Sequence, residues 1–372
     1  MDLDKLADSI KDIKLNSKIK TSEISLNHNK DNGLVLLLIG DPHFKLNNVD
    51  KTNTLLQDVL KYVDDWGVHV VICLGDILDR HENAHVHVHQ RATKFLISLA
   101  NKVPTILLIG NHDRPNNSVF LTDEHFFTGL QHYPNLDIVD LGLLKIVNLA
   151  EHKYNLLCMP YVPPGTFRKA LTHVGMDDLS NVDAVFAHQE IQGCVMGSIS
   201  SSVGDVWTAT DPAMYSGHIH ERQALPKKGQ ANVHLIGTPF QHNRAESPEK
   251  GIARLILAPE RGSHKLEYFP LHIDPMMIKE LTPAEVYTYV APEGVDLHIV
   301  VKGKAEELKM IEKIPQMKIL KKLAKVSTKE IKEDATMIKD ARTYVRTNYW
   351  TQVASRLNER QQQLLLGLLV KQ

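Results

Sequence analysis

The sequence predicts an α/β protein with one large domain, a smaller α/β module after it and a helical C-terminal tail. Three observations carry this reading. Apolar, β-branched runs of strand length recur at 34–39, 68–74, 105–109, 155–159, 182–187, 233–236 and 252–257. Runs without polar alternation belong to sheets covered on both faces. Amphipathic stretches separate the early runs, with Leu55, Leu56, Val59, Leu60 and Val63 at helical spacing in 52–66, and Phe95, Leu96 and Leu99 in 90–101. Finally, the apolar runs end abruptly on histidine, aspartate or asparagine, as strands do when their ends form a site.

In chain order, residues 1–33 are polar and lysine-rich and read as an N-terminal extension outside the core, partly disordered. A short amphipathic helix fits 3–15, where Leu3, Leu6, Ile10 and Ile13 recur at helical spacing. Residues 34–271 form the main domain. Within it, 193–212 contains Gly-Ser-Ile-Ser-Ser-Ser-Val-Gly and reads as a loop between two motifs, a common place for substrate contacts. Residues 272–328 form a small α/β cap with a strand at 295–301. Ten lysines lie between Lys302 and Lys332, interleaved with Glu306, Glu307 and Glu312, and read as solvated surface with DNA-backbone contact as the minor alternative. From 329 to 372 the chain reads as helix, ending in an apolar run at 364–370 that either closes a core or binds a partner. No internal repeat is present.

Composition sets the broad class. At 372 residues the chain can bury one large core and carry appended modules. Its 43% hydrophobic and 23% charged content is that of a globular protein, and no apolar stretch reaches the length of a membrane span. The first ten residues lack the basic-then-apolar layout of a secretory signal, and three cysteines without metal-type spacing fit a reducing compartment. A cytoplasmic location follows as an expectation, in a cell or as a virus- or phage-encoded protein. The net charge of −1 is neutral on a nucleic-acid partner, because one basic module or bound metals can make a site locally positive.

Five motifs carry the chemistry: Asp41-Pro42-His43, Gly75-Asp76-Ile77-Leu78-Asp79, Gly110-Asn111-His112-Asp113, His188, and Gly217-His218-Ile219-His220. Each follows an apolar run. The glycines before Asp76, Asn111 and His218 allow a tight turn and close approach to a ligand. Asp41 and His43 are offset by two, which points both side chains the same way in extended backbone. His218 and His220 share that offset and either flank one ion or face two. Asp76 can bridge two ions, Asn111 offers a neutral carbonyl oxygen, and His188 a further imidazole. Two carboxylates against two divalent ions leave a centre near +2 by formal count, suited to a phosphate. Mixed nitrogen and oxygen ligands without thiolate select manganese, iron, zinc or magnesium over a structural zinc site, with manganese the first choice. Such a pair clamps a phosphoryl group and activates water. His112 is then free to face the phosphate or protonate the leaving group, and Asp79 and Asp113 to orient its neighbours.

With these residues the sequence resembles the calcineurin-like metallophosphoesterase superfamily. The resemblance implies a four-layer α/β/β/α sandwich of two mixed sheets. It places Asp41, His43 and His220 on one metal, Asn111, His188 and His218 on the other, Asp76 between them, and His112 as the catalytic histidine. Within the superfamily the chain looks most like the SbcD-type nuclease subunits of double-strand-break processing complexes, phage recombination nucleases included. The cues are Gly-Asp-Ile-Leu-Asp-Arg at 75–80, His-Leu-Ile-Gly-Thr-Pro-Phe-Gln-His-Asn at 234–243, and the order of cap and helical tail. That subfamily implies a DNA exo- or endonuclease, a homodimer, and an SMC-like (SbcC-type) ATPase gripped by the C-terminal helices, here 331–372. Phosphomonoesterase, cyclic-nucleotide phosphodiesterase and non-catalytic ATPase adaptor are the other readings. Two departures stand out: some thirty residues precede the first strand, and Asp79 stands where some members carry a second histidine, whereas the bacterial and phage type has aspartate there.

Other histidines read more plainly. His81, His85, His87 and His89 resemble a metal cluster, yet alternate with valine and fit a solvated helix or subunit contact better. His125, His132, His152 and His173 read as structural, and Tyr344, Tyr349 and Trp350 as packing groups.

Overall fold

The computed structural model describes residues 19–26, 33–81, 83–225 and 232–331. They divide into two compact units, one reaching Met277 with Gly294–Asp296 added, the other built from Ile278–Glu293 and the described residues from Leu297 onward.

The strands of the first unit begin with β1 (Lys20–Leu26), β2 (Leu34–Ile39), β3 (Val70–Cys73) and β4 (Thr105–Leu108). Then follow β5 (Leu136–Val139), β6 (Leu143–Leu149), β7 (His152–Cys158) and β8 (Ala184–Ala187). A small hairpin pairs β9 (Val195–Met196) with β10 (Ile199–Ser200). The last are β11 (Met214–Ser216), β12 (Gln223–Leu225), β13 (Val233–Leu235), β14 (Ile252–Leu257) and β15 (His264–Phe269). The main helices are α1 (Val49–Trp66), α2 (Val86–Ala100) and α3 (Phe167–His173).

Two mixed sheets result. The six-stranded sheet has the order β15-β14-β2-β3-β4-β5, with β2 to β5 parallel and β14 antiparallel to β2. The seven-stranded sheet has the order β1-β6-β7-β8-β11-β13-β12, parallel through β7, β8, β11 and β13. Strand periodicity then divides the side chains between layers. In β2, Val35, Leu37 and Ile39 join Leu55 and Val59 of α1 and Phe95 and Leu99 of α2, while Leu34, Leu36 and Leu38 face Leu156, Phe186 and Tyr215 of the other sheet. Behind the second sheet, Leu157, Val185 and Met214 pack on Phe167, Ala170 and Leu171 of α3. The first unit is therefore the α/β/β/α sandwich, with β2 buried on both faces as its unbroken apolar run requires.

Several segments differ from the reading of the sequence. Part of the 1–33 extension is not outside the domain: β1 pairs in parallel with β6 along its length. Its run of lysine, threonine, serine and glutamate hid it, because an edge strand needs only Ile24 and Leu26 to reach the core. Beneath it Lys145 is buried, its ammonium held 2.8 Å from both Asp137 and Ser22. The predicted 193–212 loop contains the β9–β10 hairpin. The helix proposed for 3–15 and the tail after 331 lie outside the described residues.

In the second unit β16 (Met276–Leu281), β17 (Asp296–Gly303) and β18 (Lys325–Glu330) form a three-stranded sheet, with α4 (Pro283–Val286), α5 (Ala305–Ile311) and α6 (Pro315–Leu323). Lys329 and Glu330 thus belong to a strand paired with β17 rather than to the start of a helical tail. No helix among the described residues is long and apolar enough to cross a membrane.

Candidate metal centre

The predicted ligands lie at the carboxyl ends of adjacent parallel strands, where open sheets form their ligand crevices. Asp41, Asp76 and Asn111 follow β2, β3 and β4 of the six-stranded sheet, and His188 and His218 follow β8 and β11 of the seven-stranded one. Both sheets therefore feed one site. The backbone there is unusual: His43, Asp76 and His218 all have positive φ (42°, 51° and 75°), a region that side chains adopt at a cost and that clusters at functional sites. Gly110 passes so close to Asp76 that a Cβ would lie 2.2 Å from its Oδ1.

Three overlapping groups of ligand atoms result: Asp41, His43 and His220; His43, Asp76 and His112; and Asp76, His188 and His218. Asp76 joins the second and third, and His43 the first and second. The Asn111 Oδ1 lies 3.0 Å from His188 Nε2 and 2.9 Å from His218 Nδ1, and its amide nitrogen is turned away toward Asn117.

The donor and acceptor pattern tests whether metal ions fit. His43 and His188 each donate a ring Nδ1–H to a backbone carbonyl, that of Leu78 in the loop after β3 and that of Leu74 at its end, at 3.1 and 2.7 Å. Their Nε2 lone pairs therefore point into the site. There His43 Nε2 meets His220 Nε2 at 3.1 Å, and His188 Nε2 meets the Asn111 oxygen and, at 3.4 Å, Asp76 Oδ2. Acceptors facing acceptors at such distances repel unless a proton or a cation lies between them. Protonation follows this logic: burial disfavours charge on His188, but Asp76 and Asp41 outweigh it and lift the imidazole to about 9. Burial holds His43 well below its usual range and His218 at about 3, keeping both neutral as ligands must be. Burial raises Asp41 to about 6, whereas the surrounding histidines hold Asp76 ionised against the same effect. This donor set fits two divalent cations.

The other predicted residues take distinct places. His112 donates its backbone N–H to Asp76 Oδ1 at 2.8 Å, and its half-exposed ring lies edge-on to His43 and stacks on His81 at 4.5 Å. Asp79 lies 3.8 Å from His43 Nδ1 and pairs with Lys45 at 2.7 Å. Asp113 touches none of the ligand groups. Its buried carboxylate accepts backbone N–H bonds from Ile77, Leu78 and Gly110 and so ties two ligand loops together. Its contacts are with backbone, so it orients the loops that carry the ligands. The histidines at 81–89 form no ligand group among the described residues: His85 accepts the His87 N–H at the start of α2, and His89 bonds the Phe126 carbonyl.

Sequence reasoning missed four contributors. His242 bonds the Asp41 carbonyl at 3.0 Å, and Glu246 lies 3.6 Å from His220 Nδ1. Tyr161 packs beside His218, and the buried Arg114 guanidinium bonds the carbonyls of Val119, Phe120 and Tyr161. His242 was in plain sight within the 234–243 segment, but nothing in its spacing links it to a residue two hundred positions away.

A two-sheet sandwich whose strand ends gather paired carboxylates, imidazoles and an amide is the setting of a metal-dependent phosphoesterase. The Calcineurin-like phosphoesterase family model matches residues 34–222, and the chain belongs to this family. It is 38% identical over 229 residues to "Putative phosphoesterase 078R" of Invertebrate iridescent virus 3, across 61% of this chain and 64% of that protein. To "Putative phosphoesterase 244L" of Invertebrate iridescent virus 6 it is 34% identical over 283 residues, across 75% of this chain and 97% of that protein. The chain thus spans just under two thirds of the first relative and nearly all of the second. Among solved structures, "GAP50 the anchor in the inner membrane complex of Plasmodium" superposes with a TM-score of 0.38 at 10% identity, covering 82% of this chain and all of that one.

Proposed function

We propose that this protein is a dimetal phosphodiester hydrolase acting on DNA, a nuclease of the SbcD type. The observation that carries the hydrolase reading is the inward-facing set of lone pairs on His43, His188, His218, His220 and Asn111 around Asp76. Asp41, His43 and His220 would hold one ion and Asn111, His188 and His218 the other, with Asp76 shared. Such a pair would supply positive charge to the phosphoryl oxygens and lower the pKa of a bound water. The chain's own residues do the rest. Leu74 and Leu78 fix the tautomers of His188 and His43, Asp113 locks the Asp76 and Asn111 loops to each other, and His112 presents its imidazole beside Asp76 at the open side. There His112 holds a proton for the departing oxygen.

DNA as the substrate rests on the 75–80 and 234–243 segments, and manganese on the ligand set. The SMC-like ATPase partner, contacted through 331–372, and the homodimer rest on the subfamily resemblance. Purified protein in manganese, offered linear duplex DNA, a chromogenic phosphodiester and a chromogenic phosphomonoester in parallel, tests the reading. DNA cleavage that chelation abolishes supports it. Turnover of the monoester alone would replace it with a phosphomonoesterase.

His112→Leu removes the proton donor without touching a strand-end ligand. It is expected to lower turnover by about 10²- to 10⁴-fold while two ions still bind. Near-normal turnover in that variant rules out the assigned role.

A further inference from the structure

We propose that the segment from His242 to Lys250 is the outer support of one metal position, that of Asp41, His43 and His220, and sets its affinity separately from the second. The inference rests on the dimetal reading above and deepens it.

Every strong contact of this segment with the site falls on that one position. The His242 Nε2–H bonds the Asp41 backbone carbonyl at 3.0 Å, and its ring lies 4.9 Å from His43 and 5.4 Å from His220. Glu246 Oε1 faces His220 Nδ1 at 3.6 Å, on the opposite side of the ring from the Nε2 that meets His43. The same carboxylate accepts the His242 backbone N–H at 3.1 Å and the Asn243 amide at 2.8 Å, so it is itself fixed. Lys250 completes the arrangement. Its nearly buried ammonium bonds the His220 carbonyl at 2.8 Å and lies 3.4 Å from Glu246. Histidine, carboxylate and lysine therefore clamp His220 at both its ring and its backbone. No hydrogen bond or ion pair from the segment reaches Asn111, His188 or His218 among the described residues. His188 and Asn111 have their own supports in Leu74 and Asn117, and His218 donates its backbone N–H to the Asp41 carboxylate at 2.9 Å.

A carboxylate behind a ligating imidazole fixes the tautomer and raises the basicity of the nitrogen that binds the ion, and its loss typically weakens binding about 10- to 100-fold. The side chains beyond Asp41 and His220 thus make the two positions unequal.

The test is manganese titration of the full-length protein, followed by calorimetry and by electron paramagnetic resonance of bound and free ion. Wild type is expected to take up two ions. Glu246→Gln, which keeps the shape and removes the charge, is expected to weaken one position about 10- to 100-fold and leave the other unchanged. His242→Phe, which keeps the ring and loses the bond to Asp41, should weaken the same position, so the proposal stays testable if one variant fails to fold. Two unchanged affinities in both variants, or equal loss at both positions, overturn the proposal while leaving the dimetal reading intact. Fewer than two ions in wild type overturns both.

Discussion

At the scale of single residues, the centre is held by close contacts that tolerate little change. Gly110→Ala would place a methyl group 2.2 Å from Asp76 Oδ1 and 2.3 Å from its backbone nitrogen, so the shared carboxylate must move. We expect a loss of about 1–3 kcal/mol in urea unfolding and weakened manganese uptake at both positions. Unaltered uptake would show that the loop can yield. Away from the site, His234 stacks on Tyr215, and burial together with His264 lowers its imidazole to about 4. The folded state then binds fewer protons than the unfolded state below the ordinary value of 6.5. Stability from this group is whole above that pH and is lost as pH falls from there toward 4. Because the ring is partly exposed, the effect is about 1–2 kcal/mol. His234→Phe should therefore flatten the acid limb of melting temperature against pH, and an unchanged limb would place the loss elsewhere.

At the scale of elements, what was legible depended on how much of the signal was local. The β2 run Leu34–Ile39 is buried on both faces and reads as a strand from six letters, and so does the full extent of β14. The strand-end motifs were legible for the same reason, since Asp41, Asp76, Asn111 and His188 each follow such a run. β1 was not, because its stability comes from pairing with a strand more than a hundred residues away. Nor were β11 and β12, three residues each, too short to show a period. Glu246 and His242 stayed hidden because their meaning lies in contacts with His220 and Asp41 across the fold. Asp137 on β5 and Lys145 on β6 give the elements a further test, since their pair crosses from one sheet to the other. Asp137→Ala leaves a buried ammonium with only the Ser22 hydroxyl. It should cost about 2–3 kcal/mol, the lower side of the buried-pair range because Asp137 is partly exposed. Lys145→Met, which removes charge and keeps volume, should cost less. The reverse order would mean that the lysine stem, not its charge, holds the seam.

At the scale of the whole molecule, the first unit is a sandwich whose two sheets meet in a continuous apolar layer and whose upper rims converge on the centre. Family membership accounts for the fold at this scale. The substrate does not follow from it, since the same sandwich and the same ligand set serve monoesters and diesters alike. Groups that could distinguish substrates stand beside the ligands at the rim, Tyr161 against His218 and His81 against His112.

The sharing of the proposed ligands between the two sheets has a mechanical consequence. Asp41, His43, Asp76 and Asn111 hang from one sheet, and His188, His218 and His220 from the other, so each ion would be gripped from both sides. Bound metal would then act as a clasp across the open edge of two leaves that are otherwise held by their apolar faces and by the Asp137–Lys145 pair. Stripping it should do more than silence the enzyme. Loading at about a hundred times the dissociation constant is worth roughly 2.7 kcal/mol per ion, so chelation should lower the melting temperature by about 5–10 °C. Amide exchange should quicken at the loops after β2, β3, β4, β8 and β11, and far less in the strands below them. If exchange instead rises evenly through both sheets, the ions are passengers and the leaves stay shut without them.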